Sequence, residues 1–146
     1  GAVDDFAEAM RHKVVRGQRL ADSESLQLRL AESAAEVECA RQLLLGRARA
    51  IVQKLEGGQL TDATDMAHAS RNAAYAVRLA QHAVRRLFEA AGGSGMLLDN
   101  HLQRVLRDVH AAGGHIGLAW DRNAVMYSRE RMGQGLSASQ PNAASK

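Results

Sequence analysis

Between Leu26 and Leu55 the apolar or small residues fall at Leu26, Leu30, Ala34, Val37, Ala40, Leu44, Ala48, Ile51 and Leu55, in steps of three and four. That spacing holds one stripe on one side of a 3.6-residue repeat, whereas a strand changes face at every residue. It predicts a single helix of about eight turns, closed by Gly57-Gly58. Thr61, Asp62, Thr64 and Asp65 offer capping oxygens for a second long helix. Its stripe runs Met66, Ser70, Ala73, Val77, Ala80, Val84, Leu87 and Ala91, and Gly92-Gly93 ends it. A first helix is expected over residues 2–16, and a last helical region from Asp99 to about Met132 with a break at Gly113-Gly114. No strand-like alternation is visible. The fold class is therefore all-α, an up-and-down bundle of four to five helices over residues 1–132, with Ala-rich seams that let helices approach closely. Residues 133–146 hold the only proline and read as a flexible tail. The opening GAVDDFAEAM is already helical and lacks an initiator methionine, which suggests a piece of a longer chain.

Charge and composition remove several classes of function. The chain has 146 residues, enough for one domain with its own core. Its net charge of +3 rests on sixteen arginines and three lysines, which raises nucleic acid as a partner. The arginines, however, alternate with acids, as in Arg29/Glu32/Glu36, in the manner of a solvated helix face. Aromatics make up only 3% of the chain, too few to stack on bases, so no nucleic acid is expected. No run approaches a membrane span and no secretory layout opens the chain. The single cysteine, Cys39, cannot close an internal disulfide and reads as a small buried apolar group. A cytoplasmic setting is expected.

A helical bundle alone carries no function. The segment RVLRDVHAAGGH, Arg104 to His115, stands out within it. Two adjacent glycines in a helix cost about 1 kcal/mol each relative to alanine, so the site wants either that backbone or that empty space. Arg104 and Asp108, at i,i+4, can pair on one face, and His115 is either a surface histidine or a working imidazole. A di-iron site needs two Glu-x-x-His motifs, and only Asp65-Met66-Ala67-His68 approximates one. A hydrolase elbow needs a strand that is not there. A non-catalytic oligomerisation module is the remaining bland reading. Trp120 and Tyr127, at i,i+7, read as core or subunit-interface anchors.

Several fragments, in order and without a gap from Gly1 to about Gly117, resemble the C-terminal helical domain of the acyl-CoA dehydrogenase superfamily. Gly1-Ala2 stand where that family has Gly-x-Ala, and Lys13, Arg16 and Gly17 occupy its Arg-x-x-Phe-Gly. Leu30-Ala31-Glu32 and Ala40-Arg41-Gln42-Leu43 follow its Leu-Ala-Asp and Ala-Arg-x-Leu. Residues 89–95, EAAGGSG, meet its Gln-x-x-Gly-Gly-x-Gly, and Gln103-Arg104-Val105-Leu106-Arg107-Asp108 is close to its Glu-Arg-x-x-Arg-Asp.

The resemblance implies a flavoprotein in which this bundle covers part of the flavin and joins subunits as a homodimer or homotetramer. The glutamate that serves acyl-CoA dehydrogenases as base falls here on Ile116, which cannot accept a proton, and the residue before it is His115. That pattern is similar to the reduced-flavin-dependent monooxygenase branch, where a histidine faces the flavin at the place where oxygen adds. An imidazole, with a pKa of about 6.5, can donate a hydrogen bond or exchange a proton near neutrality. The implied catalytic residue is His115, with Gly113-Gly114 clearing space for a ring and aiming the imidazole inward. Lys13, Glu89, Gly92, Gly93 and Ser94 are the implied cofactor contacts, and the cofactor is FMN or FAD. Lys13 lacks the arginine fork and Glu89 adds a negative charge, which favours loosely held reduced flavin from a separate flavin reductase. The implied substrate is a small aromatic molecule. The isolated domain is expected to be inactive, and an acyl-CoA dehydrogenase is the alternative.

Overall fold

The computed structural model describes residues 1–93 and 101–135. Ser94 and residues 136–146, most of the expected tail, lie outside the described residues. The chain runs α1 (Ala2–Arg11), β1 (Val14–Val15), β2 (Gln18–Arg19), α2 (Glu24–Glu56), α3 (Ala63–Ala91), α4 (His101–Gly113) and α5 (Trp120–Arg131). Short 3-10 turns precede α2 (Leu20–Asp22) and α5 (Ile116–Leu118). No helix among the described residues is long and apolar enough to cross a membrane.

Both long helices fall where the spacing put them. At 1.5 Å per residue, α2 and α3 span about 50 Å and about 43 Å. Past Glu56 the Gly58 N–H bonds the Leu55 carbonyl and the Gln59 N–H bonds that of Lys54, with Gly58 at φ +74°. This left-handed closing turn is a position that suits glycine. Asp62 caps α3: its carboxylate accepts from the Asp65 N–H at 2.8 Å, and Asp65 accepts from the Asp62 N–H at 3.1 Å. Lys54 and Arg47 of α2 both bond Asp65, and Lys54 also reaches Asp62 at 2.8 Å. These cations hold both carboxyls, and that of Asp65 most strongly, below the usual range. The helix cap is thereby tied to the neighbouring helix.

Alpha-3 is the central element, packed by α1, α2, α4 and α5. Its buried residues are Ala67, Ala74, Ala76, Ala83, Val84, Leu87 and Ala91, spread over more than one face. Met66, expected in the stripe, is 54% exposed because the burial at that end passes to Ala67. The main apolar cluster joins Phe6 and Met10 of α1, Val84, Leu87 and Ala91 of α3 and Leu102 of α4. Burying such side chains contributes about 1.5–3 kcal/mol each.

The first helix is shorter than expected. It ends at Arg11, and residues 14–19 form a small antiparallel hairpin, Val14 opposite Arg19 and Val15 opposite Gln18. Arg16 and Gly17 at its tip have φ of +51° and +80°, the combination a two-residue hairpin turn of the right hand requires. Two further readings are corrected. Cys39 is exposed, at the rim of a groove that it lines with Leu43 of α2 and Asn72 and Tyr75 of α3. No ion pair among the described residues includes Arg104 or Asp108, both of which are exposed.

Helix α5 lies on α3 through matched aromatic and guanidinium contacts. Arg71 sits 4.1 Å over the Tyr127 ring and Arg78 sits 5.2 Å over the Trp120 ring. Seven residues separate the arginines on α3 and seven separate the aromatics on α5, so the antiparallel pair repeats the same rung. His68 meets Tyr127 edge-on at 4.9 Å, and Thr64 donates to Glu130 at 2.8 Å. The Trp and Tyr expected to be anchors are thus anchors within the bundle.

Candidate functional site

The connection from α4 to α5 carries His115. Alpha-4 ends at Gly113, and close packing against α3 leaves no room there for a side chain. A Cβ built on Gly113 would stand 2.1 Å from Gln81 Nε2 and 3.4 Å from Val77 Cγ1. The space cleared by this glycine is therefore filled by Gln81, not held open for a ring. His110, on the last turn of α4, is exposed and its Nδ1 lies 2.8 Å from the Leu106 carbonyl oxygen. Because the helix ends three residues later, His110 and His115 are separated by a change of backbone and not by a simple helical rotation.

His115 begins the 3-10 turn at φ −72° and ψ 128°, an extended geometry. Its Nδ1 accepts a hydrogen bond from the Gly117 N–H at 3.1 Å. A nitrogen that accepts cannot carry the proton, so the neutral ring bears it on Nε2. The side chain is exposed and the ring stays beside its own turn, in contrast to the inward aim expected from the sequence. What it offers the surroundings is an Nε2–H donor. Ile116 beside it is 66% exposed. A side chain with no proton-accepting atom thus occupies the neighbouring surface position.

Gly117, the glycine that follows Ile116, and Asn123, which carries no motif, shape this turn. Gly117 lies tight against the imidazole, since a Cβ would meet His115 Nδ1 at 3.1 Å and Cε1 at 3.2 Å and would push the ring aside by a few tenths of an ångström. Asn123, 4% exposed in α5, donates from Nδ2 to the Gly117 carbonyl at 3.1 Å and to the Ala119 carbonyl at 2.8 Å. An asparagine in the first turns of a helix, a few residues after a glycine turn, is the available signal. No motif spacing marks it.

The other expected residues gather at the opposite end of α4. Lys13 Nζ reaches the Ala91 carbonyl at 3.5 Å, placing a cation at the C-terminal end of α3 where carbonyl dipoles favour it. Gly92 follows at φ +64°, and among the described residues, chain neighbours aside, neither Gly92 nor Gly93 would bring a Cβ within 4 Å of an atom. Lys13 and Ala91 also line a largely apolar cavity of about 310 Å³ with Phe6, Met10 and Leu102. Glu89 accepts from Arg85 Nε at 2.8 Å, which holds its carboxyl below the usual range. It faces a polar basin with Arg29 and Arg86, about 200° around α3 from Ala91. Lys13 and the glycine turn are brought together, Glu89 is turned away, and His115 lies beyond the length of α4, about 20 Å on by helical rise.

This arrangement fits a flavin in its separate parts. Open glycine backbone beside an ammonium group suits a phosphate or nucleotide edge, and an exposed imidazole N–H suits the redox-active end. Glu89, already paired and negatively charged, fits an anionic cofactor poorly.

Comparison with known proteins agrees with this architecture. The family described as "Acyl-CoA dehydrogenase, C-terminal domain" matches residues 1–120. The oxygenase component of FADH(2)-dependent resorcinol hydroxylase from Rhizobium sp. (strain MTP-10005) is 34% identical over 143 residues, covering 91% of this chain and 35% of that protein. The oxygenase component of p-hydroxyphenylacetate 3-hydroxylase from Acinetobacter baumannii is 32% identical over 135 residues, covering 90% and 32%. The crystal structure of 3-HSA hydroxylase from Rhodococcus sp. RHA1 superposes with a TM-score of 0.84 at 25% identity, covering 95% of this chain and 36% of that one. The chain spans about a third of the length of the curated relatives it matches. From the order of its helices, its glycine turns and the match over residues 1–120, the chain belongs to the acyl-CoA dehydrogenase C-terminal domain family.

Proposed function

We propose that this chain is the C-terminal, flavin-facing domain of the oxygenase component of a two-component aromatic monooxygenase. The observation that carries the reading is the pair His115 and Ile116: an exposed imidazole N–H stands beside an exposed isoleucine, which by the family resemblance takes the place of the carboxylate that a thioester dehydrogenase needs. The relatives named above, oxygenase components of aromatic hydroxylases, support it. The cofactor is reduced flavin, FAD or FMN, delivered by a separate flavin reductase, and the substrate is a small aromatic compound. When bound, the flavin supplies the electrons that activate molecular oxygen. Residues 1–132 act as one domain of the cytoplasmic enzyme and contribute helix faces to a homodimer or homotetramer.

Within this reading each residue has a distinct task. His115 would offer its Nε2–H as a hydrogen-bond donor to a flavin held beside the turn. Lys13, with the backbone of Gly92 and Gly93, holds the phosphate or nucleotide end, and Ser94 is the remaining contact that the family resemblance implies. Lys13 does so as a point charge without an arginine fork, and Glu89 adds negative charge at its margin, so the hold is loose.

The test uses the complete oxygenase with its reductase. His115→Ala is expected to lower product formation about 10²- to 10⁴-fold, the usual loss for one positioned acid or donor. Reduced flavin should still bind and still consume oxygen, releasing hydrogen peroxide without product. Full coupling in His115→Ala would defeat the reading, and oxidation of an acyl-CoA by Ile116→Glu with His115 dispensable would replace it with the dehydrogenase one.

A further inference from the structure

His115 does not hold its ring orientation alone. The Gly117 peptide units are fixed from two directions: the N–H donates to His115 Nδ1 at 3.1 Å, and the carbonyl accepts from Asn123 Nδ2 at 3.1 Å. Asn123 spends its second Nδ2 hydrogen on the Ala119 carbonyl at 2.8 Å, and its own backbone N–H also bonds that carbonyl at 3.2 Å. The whole turn from residue 115 to residue 119 is therefore pinned to the first turn of α5. At 4% exposure the amide has little water to fall back on. A buried donor of this kind is costly to leave unpaired, which makes its geometry well defined.

We infer that Asn123 is a positioning residue for His115, setting both the tautomer and the direction of the imidazole through Gly117. The inference rests on the reading of His115 given above for its catalytic meaning, but not for its geometry. With the Gly117 carbonyl clamped, its N–H stays on Nδ1, the ring proton stays on Nε2, and Nε2–H points away from the turn. Without the clamp, the 3-10 turn keeps only its own Leu118–His115 and Ala119–Ile116 backbone bonds, the Gly117 N–H is held less firmly on Nδ1, and the ring samples both tautomers. An imidazole in the wrong tautomer presents an acceptor where a donor is needed. The absence of a side chain on Gly117 belongs to the same device, because a Cβ there would press on Nδ1 and Cε1.

The experiment has two readouts on the complete oxygenase. The first is the ring tautomer of His115, read from two-bond proton–nitrogen correlations in ¹⁵N-histidine-labelled protein at neutral pH. The expected wild-type pattern is a proton on Nε2 and none on Nδ1. Asn123→Ala, and Asn123→Asp as a same-sized variant without donors, should show mixed tautomers. The second is product formed per reduced flavin oxidised, expected to fall about 10- to 100-fold, the range seen when a residue that orients a first-contact group is removed. Flavin affinity should be unchanged, and the pH profile of coupling should shift in the variants. Wild-type His115 with its proton on Nδ1 overturns the inference whether or not the variants fold. Tautomer and coupling unchanged in folded Asn123→Ala also overturn it, even if His115→Ala uncouples the enzyme. If the tautomer responds to Asn123 while His115→Ala stays fully coupled, the positioning relation stands and the proposed function fails.

Discussion

Replacing Arg86 by methionine should weaken the packing of the two long helices on each other. The Arg86 guanidinium, 19% exposed on α3, lies in a fork on Glu36 of α2 at 2.7 and 3.1 Å. It also donates to Ser33 Oγ at 3.2 Å, and Ser33, 0% exposed, donates in turn to the Ala83 carbonyl at 3.3 Å. The Glu36 hydrogen bond raises the Arg86 pKa above its usual value. Glu32 is also reached at 3.1 Å, but at 63% exposure it adds no more than about 1 kcal/mol. Glu36 is only 18% exposed, so its loss of partner approaches the buried case of about 3–5 kcal/mol, and partial solvation brings the expectation to about 2–4 kcal/mol. For a chain of this size that is a fall in Tm of about 5–15 °C. Thermal and urea unfolding of the chain followed by far-UV circular dichroism would measure it. A double-mutant cycle with Glu36→Gln should return a coupling of about 1–3 kcal/mol, and Arg86→Lys should recover the charge but only part of the stability. A Tm change under about 2 °C, or a coupling under about 0.5 kcal/mol, would show that the fork is worth no more than a surface pair and refute the argument.

Gly113→Val should destabilise by about 1–3 kcal/mol through crowding against Val77, whereas Gly113→Ala should cost less because the Gln81 amide can swing aside; equal and negligible effects in a thermal melt would remove the packing role. The His68 pKa is lowered by burial and by Arg71, Arg47 and Arg131, so the unfolded chain binds the proton more readily. Stability should therefore fall as pH drops from about 6.5 through the lower folded value, and His68→Gln should flatten that part of a Tm-against-pH curve. His110→Ala should leave product coupling close to wild type, since His110 is bonded only to its own helix; behaviour like that of His115→Ala would dissolve the distinction between them. Leu44, Val52 and Leu55 are 47%, 50% and 50% exposed along α2, so Leu44→Glu with Val52→Glu should lower the mass seen by light scattering, and an unchanged mass would move the interface elsewhere.

The long helices were legible because their signals are redundant: a stripe of nine positions, a glycine pair at the end and an Asp62/Asp65 cap all point to the same boundaries. The hairpin at Val14–Arg19 was not, because two residues per strand are too few to show an alternation and Arg16 is not a residue type that announces positive φ. The burial of α3 on several sides was hidden by alanines, which read as weakly apolar wherever they stand. Within the site, His115 was visible by its position beside Ile116. Its acceptor geometry was not, since that depends on Gly117 and on an asparagine eight residues away across a change of helix. Gly113 was noticed for the right reason, missing volume, but the neighbour that needs the volume is Gln81, which only the packing of α4 on α3 reveals.

The repeated rungs between α3 and α5 carry a hidden ambiguity. Beyond Arg71 and Arg78, α3 has a third arginine at the same interval, Arg85. Sliding α5 by one interval, about 10 Å along α3, would seat Tyr127 on Arg78 and Trp120 on Arg85 with the same chemistry. The cation–aromatic rungs taken alone thus define a ladder with two alignments, while His68 and Thr64, which meet Tyr127 and Glu130, and the Arg85–Glu89 bond favour the observed one. Tether length enforces the same choice: six residues, 114–119, wound into a 3-10 turn and pinned by Asn123, give α5 no slack to move. Loop length here acts as the register key that specificity devices elsewhere supply by charge or shape. Insertions between Gly114 and Ala119 would release a second, offset alignment of the last helix, while insertions between Gly57 and Thr61 would leave that alignment alone.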